Sequence, residues 1–339
     1  MLEVSAAAAQ DEAIDAAVAA AGALGVEEEA VPIGRDELAK RCSSPRFRRG
    51  VLYREGATVQ PARLLRALRA AVLDEGVILH ERTPMVRLRR GSPNVIEAPR
   101  GRIRAREVIV AINAAAAGWR PVARRLTAFG SYVVLTEPVP ELLDRISWTG
   151  GESIIDARMF LHYFRTTNDG RVVMGSGSGP IGFGGRLDGR FTADRPSVAR
   201  AEAGLRFLLP GLVGARIERA WGGPIDVSAD HFPFFGTLPG TRVHYGAGYS
   251  GNGVGPSWLG GRILARLALG VEDELTALPL VNRRIRPLPP EPIKRLGGGL
   301  VRGAALRAEE AEQAGHRPAL PLRAIAALPR VVGLRVGTR

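Results

Sequence analysis

Apolar and polar positions alternate along this chain with two different periods, and the period changes in blocks. Residues 4–24 read as an amphipathic, Ala-rich helix that ends at Gly25, and "GRDELAKR" as a short second helix with Asp36 near its cap. Leu64, Leu65, Leu68 and Val72 fall on one helical face; Pro61 suits its first turn and Gly76 its end. "VILHE" then predicts a strand, so this stretch is an αβ unit. Short strands follow in "MVRLRR", "VIEAP" and "GRIRA", and the run from Val108 to Ile112 predicts a strand buried on both faces, ending at Asn113.

From residue 127 to 228 the period shortens to two. "FGSYVVLTEP", "MFLHYFRTT", "GRVVMGSGSG" and "RIERAWGGPIDV" predict a mainly antiparallel sheet, interrupted by the helix "SVARAEAGLRFLLPGL". The αβ character then returns. "RVHYGAG" is a strand, and the glycine run "GAGYSGNGVG" leads into a helix from about Pro256 that closes at Gly270. Such a run exposes backbone N–H groups before a helix N-terminus, as a phosphate or cofactor cradle does. Residues 271–339 are rich in Pro, Arg and Ala, with one helix near 301–314 and a final third expected to be poorly ordered. The order αβ, antiparallel insertion, αβ makes the fold class α/β with an α+β insertion. It divides the chain into a helical segment 1–50, a discontinuous domain 51–126 and 229–270, an antiparallel domain 127–228, and an extension 271–339.

Composition narrows the picture. The chain has 339 residues, 45% of them apolar, enough for a core of one large or two ordinary domains. The net charge is +13, but residues 281–339 hold twelve Arg or Lys against four Glu, a net of +8. With most of the excess in that extension and no basic stripe interleaved with aromatics in the body, a specific nucleic-acid partner is not expected. The single cysteine, Cys42, permits no intrachain disulfide and favours a reducing, cytoplasmic setting; it reads as a bystander thiol. No run of 18 apolar residues predicts a membrane span, and the acidic Ala-rich start is not a signal peptide. The five His and one Cys show no metal-ligand spacing.

Four segments together resemble the FAD-dependent oxidoreductases of the D-amino-acid oxidase type, the group with glycine oxidase, sarcosine oxidase and γ-glutamylputrescine oxidoreductase. They are "GATVQPARLLRALRAAVLDEGVILHE", "AREVIVAINAAAAGW", "YFRTTNDGRVVMGSG" and "WGGPIDVSADHFPFFG" with the following "GAGYSGNGVGPSWLGGRILA". The resemblance implies a three-layer FAD-binding domain beside an antiparallel substrate domain. It implies that Gly248, Tyr249, Ser250, Gly251, Asn252, Gly253 and Val254 wall the pyrimidine edge of the flavin, with Asn113 near the crevice, Val86 near the adenosine and Gly222 as a further cofactor-binding residue. That family opens with a βαβ unit bearing G-x-G-x-x-G for the pyrophosphate. The sequence "MLEVSAAAAQ" resembles the family only after that unit, so the FAD domain is expected to be N-terminally truncated here.

The implied chemistry is oxidation of a C–N bond in an amine or amino acid. Hydride passes to flavin N5, the imine hydrolyses, and oxygen or another acceptor takes the electrons. Strand parity sets Tyr163 and Arg165 on one face and His162 on the other. Arg165 is a candidate carboxylate clamp, with Tyr163 and His162 as further candidates for the catalytic site. Trp221, Phe232, Phe234 and Phe235 read as core or pocket wall, and Asp230 as a loop-fixing residue. Two other readings stay open: an inactive fragment of such an enzyme, and a protein that binds anionic surfaces through its basic extension.

Overall fold

The computed structural model describes residues 1–331, 333 and 334. The chain opens with strand β1 (Leu2–Ser5), helix α1 (Asp11–Leu24), β2 (Ala30–Gly34), α2 (Arg35–Arg41) and β3 (Arg49–Tyr53). The helix expected over 4–24 therefore starts at Asp11. The residues before it form a strand because Leu2 and Val4 are fully buried between β3 and a later strand. Helix α3 (Pro61–Asp74) follows, with Pro61 in its first turn and Gln60 accepting from the Arg63 N–H. Then come β4 (Arg87–Arg89), β5 (Asn94–Ala98), β6 (Gly101–Ala105) and β7 (Val108–Val110).

The middle of the chain supplies β8 (Leu126–Thr136), α4 (Pro140–Arg145), β9 (Ile154–Asp156), β10 (His162–Thr166), β11 (Val172–Ser176), α5 (Arg195–Leu208) and β12 (Ile217–Ser228). The rest is β13 (Phe234–Thr237), β14 (Val243–Ala247), α6 (Val254–Leu269), α7 (Ile293–Gln313) and α8 (Leu320–Val331).

One eight-stranded sheet runs β12-β8-β11-β10-β9-β1-β3-β2, antiparallel except for the β1–β9 pair. The opening 53 residues thus extend the antiparallel sheet. They form neither a separate helical segment nor the start of the expected FAD-binding half. On one face α5 packs over Val134, Phe164, Val172, Met174 and Trp148, the largest apolar core. Each such fully buried side chain contributes roughly 1.5–3 kcal/mol. The alternation of β8, buried at Leu126, Ala128, Gly130, Tyr132, Val134 and Thr136, is the period-two signal of its sequence in three dimensions.

A second sheet, β13-β14-β7, pairs β14 with β7 in parallel and carries α6, whose Ile263 and Leu264 pack on Phe235. A third is the meander β4-β5-β6. Two expectations fail in this half. "VILHE" forms no strand: Val77, Ile78 and Leu79 are 51%, 80% and 44% exposed, with no described strand alongside to take their hydrogen bonds. β7 stops at Val110 and leaves Ile109 45% exposed, so it is not covered on both faces. The apolar stripe of α3 is likewise exposed at Leu64, Leu65, Leu68 and Val72.

The extension is more helical than its Gly and Pro content suggests. α7 begins at Ile293 and lies on the sheet domain: Glu309 accepts from Met159 N and Phe160 N, and Arg302 donates to the Ser178 carbonyl. α8 occupies most of the third expected to be poorly ordered; residues 332 and 335–339 lie outside the described residues. No helix is long and apolar enough to cross a membrane among the described residues.

Candidate active site

β12 is the edge strand at which the large sheet meets the glycine turn. On its buried side Asp226, 1% exposed, accepts the Gly248 N–H on its carboxylate. Its carbonyl accepts Ser250 N at 2.8 Å. Ser250 Oγ closes the turn onto the Gly248 carbonyl at 3.1 Å. Gly248 and Gly251 take φ of +84° and +91° and Ser250 +53°, the left-handed region that favours glycine. Gly251 comes out on the other side, where a Cβ on it would lie 3.5 Å from Ile225 Cδ1. The carboxyl of Asp226 is pushed up by burial and pulled back by these N–H donors. Sequence reasoning missed this residue; the signal was a lone acid at a buried parity position of a strand, facing a glycine run.

The register fixes what shares the open face with Ile225. Moving along β12, Ile225 pairs with Phe129, Gly223 with Ser131 and Trp221 with Val133 on β8. Val133 continues to Gly175 and then Tyr163. The Tyr163 ring lies over Gly175, whose missing Cβ leaves the room, and its hydroxyl meets Ser131 Oγ at 2.9 Å. Tyr163 thereby delivers a polar group one register row from Ile225. Burial pushes its phenol up, so it keeps its proton and serves as a hydrogen-bonding group. Phe129 stacks on Phe160 at 5.7 Å and 13°, and Trp221 is 45% exposed on the rim.

Arg165 does not join this group. It aligns with Val173, Leu135 and Arg219, six residues along β12 from Ile225 and three strands across. At ~3.4 Å per residue and ~4.8 Å per strand, that is about 20 Å along and about 14 Å across. Its Nη1 donates to the Thr166 carbonyl at 3.1 Å, and burial lowers its pKa. His162 points to the opposite face, as parity requires. Its Nδ1 lies 2.8 Å from Asp156, whose carboxylate is held low chiefly by His162, while burial opposes. Gly222 also belongs to the buried face, where a Cβ would come within 2.3 Å of the Tyr132 ring. Register and parity set these three positions apart from the glycine turn.

The remaining candidates divide. Asn113 has φ +48° and opens the 3-10 segment Asn113–Gly118. Asn113 and Gly248 each lie three residues past the paired Val110 and Tyr245, at the carboxyl ends of adjacent parallel strands, where α/β sheets place their ligands. Gly253 caps α6, whose first turn has no acidic residue; Asn252 and Val254 are exposed. The Tyr249 ring turns inward onto Phe235 at 6.1 Å, so only its backbone faces the turn's outer side. Val86 is 69% exposed on the separate meander, its N–H donating to Glu97 O. Asp230 fixes its loop through Arg283 and the Phe232 N–H, and Cys42 is 1% exposed with its thiol pushed up by burial.

Known proteins resemble this chain. The family model for FAD-dependent oxidoreductases matches residues 1–267. A "Probable oxidoreductase OrdL" of Rhizobium meliloti (strain 1021) is 30% identical over 252 residues, covering 72% of this chain and 55% of that protein. The gamma-glutamylputrescine oxidoreductase of Escherichia coli (strain K12) is 28% identical over 243 residues, covering 71% and 54%. The crystal structure of glycine oxidase from Geobacillus kaustophilus superimposes with a TM-score of 0.70 at 19% identity, over 84% of this chain and 74% of that one; at that identity the likeness is one of fold. The matches span about half the length of these curated relatives. On the family match, this chain belongs to the DAO family of FAD-dependent oxidoreductases.

Proposed function

We propose that the open face of β12, β8 and β10, together with turn 248–254, is the substrate and flavin-facing side of an enzyme that oxidises a C–N bond in an amine or amino acid. The carrying observation is the junction at β12, where the Asp226-braced turn emerges beside Ile225 and one row from the Tyr163–Ser131 pair.

The residues present fit the ring end of FAD. The left-handed glycines keep side chains off the turn, Gly255 has open space where a Cβ would stand, and α6 begins without an acid. Backbone donors and a helix N-terminus suit an edge where negative charge gathers on reduction. Bound there, FAD supplies the hydride acceptor.

The chain's own residues do the rest. Tyr163 Oη and Ser131 Oγ form a neutral donor–acceptor pair that orients a polar substrate group. Phe129, Val133, Ile225 and Trp221 line the same face and limit water at the reacting carbon. The phenol keeps its proton at Oη and does not act as a base. A substrate amine that arrives neutral needs none.

The test is the visible spectrum of the chain with added FAD, alone and extended upstream of Met1 to the relatives' length. Anaerobic bleaching is then followed with glycine, γ-glutamylputrescine and other amines. Flavin capture with amine-dependent bleaching is expected in the form that binds. Absence of flavin capture in both forms, or bound flavin that no amine bleaches, would overturn the reading.

A further inference from the structure

We propose that a cleft beside the 3-10 turn Ala123–Arg125 binds a small organic dianion, a phosphate group carried on an apolar body. The cleft holds about 330 Å³ and is lined by Arg120, Pro121, Arg124, Arg125, Ile285 and Pro287. It is distinct from the junction at β12, and none of its residues serves the reading above.

Three elements build the cleft and hold it open. The 3-10 turn Ala123–Arg125 carries two of the arginines into β8. The extension forms the opposite wall, tied down by Leu288 N donating to the Arg124 carbonyl at 2.7 Å. Ile285, 8% exposed, roots that wall in the core beneath. Arg125 Nη1 donates to the Tyr245 hydroxyl at 3.3 Å, which aims its guanidinium from β14.

Among the described residues the charge is uncompensated: none of these three arginines has a carboxylate within ion-pair reach, whereas neighbouring Arg283 takes Asp230 and Arg242 takes Glu107. Like charges lining one cleft repel, by ~1 kcal/mol for a pair about 4 Å apart in water and more beside protein. An anion reverses the sign of that interaction. Planar guanidinium forks match phosphate oxygens in bidentate fashion, and more than one fork suits a doubly charged group. Pro121, Ile285 and Pro287 offer an apolar wall for whatever carries the phosphate. The cleft of about 370 Å³ beside α7 contrasts with it: Arg317 and Arg323 there share the lining with Glu312.

Isothermal titration of the full chain with phenyl phosphate, and separately with inorganic phosphate, tests the proposal. Saturable binding of phenyl phosphate that weakens with salt is expected. Arg120→Gln/Arg124→Gln should weaken it about tenfold or more, the loss of two charge-assisted contacts. Both side chains are exposed and, among the described residues, without a hydrogen-bond or ion-pair partner, so the melting temperature should hold. Arg317→Gln/Arg323→Gln should leave binding unchanged. Tighter binding of phenyl phosphate than of inorganic phosphate assigns the apolar wall; equal affinity removes the apolar body from the proposal. No saturable binding, or equal losses in the two double variants, overturns the site.

Discussion

The Tyr163 hydroxyl meets Ser131 Oγ at 2.9 Å although β11 runs between their strands. The tyrosine can cross because Gly175 on β11 has no side chain: a Cβ there would stand 2.0 Å from Tyr163 Cζ. One glycine therefore carries a polar group from the third strand inward to the row beside the glycine turn.

Gly175→Ala should displace the Tyr163 ring and cost about 1–3 kcal/mol, the usual range for overpacking. In a Tyr163→Ala background the same change should cost much less, because the colliding ring is gone. Urea unfolding of the four proteins of this cycle measures the coupling. Additive costs would mean that the ring does not lie where Gly175 makes room.

Tyr163→Phe keeps the ring and removes only the hydroxyl. The stability loss should stay near ~1 kcal/mol, that of one hydrogen bond. In the flavin-loaded enzyme, kcat/KM should fall by about tenfold if the hydroxyl orients substrate. Arg165→Gln, two residues further from the turn, should leave kcat/KM close to the parent value. Steady-state kinetics on both variants separates the two residues. The opposite ranking would return the clamp role to Arg165.

Much of this was legible in the residues. The strands β8, β10, β11 and β12 of the sheet domain announce themselves in the sequence, and Gly270, at φ +68°, ends α6 where the sequence predicts. Parity alone separated His162 from Tyr163. Distance along the face was not legible, because Arg165 and Tyr163 share parity and differ only in register, which is set by partners far away in sequence. β1 was hidden for a similar reason. Leu2 and Val4 are too few to signal a strand, and β3 and β9 supply the pairing. The apolar run at 77–79 shows the converse: strand-like residues remain irregular when no neighbour accepts their hydrogen bonds.

Asp226→Ala should loosen the turn without unfolding the sheet. The carboxylate holds Gly248 N, while β12 stays paired to β8 through its backbone along its length. Hydrogen exchange should therefore accelerate at residues 248–252 and remain slow in β8. Asp226→Asn, which keeps an acceptor oxygen, should restore most of the protection. Equal protection of the turn in Asp226→Ala would show that the backbone alone braces it.

Glu309 gives the protein a stability that falls as pH rises. This carboxyl of α7 is 6% exposed and faces Asp156 and Arg158 behind Met159 and Phe160. Burial pushes its pKa up to about 7, with Arg158 opposing and Asp156 adding to the rise. A raised folded-state pKa means that the folded chain holds the proton more tightly than the unfolded one. The stabilisation is complete below the unfolded value of 4.5 and is lost as pH climbs through about 7. Asp156 has the opposite sign: its depressed pKa gives stability that is lost only as pH falls below its ordinary 3.8, outside this window. Chemical denaturation at pH 5.5 and pH 8 should therefore find the parent weaker at pH 8. Glu309→Gln, which keeps an acceptor for the two N–H groups and cannot ionise, should flatten that difference. A parent equally stable at both values, or a Glu309→Gln variant with an unchanged slope, would remove Glu309 as the cause.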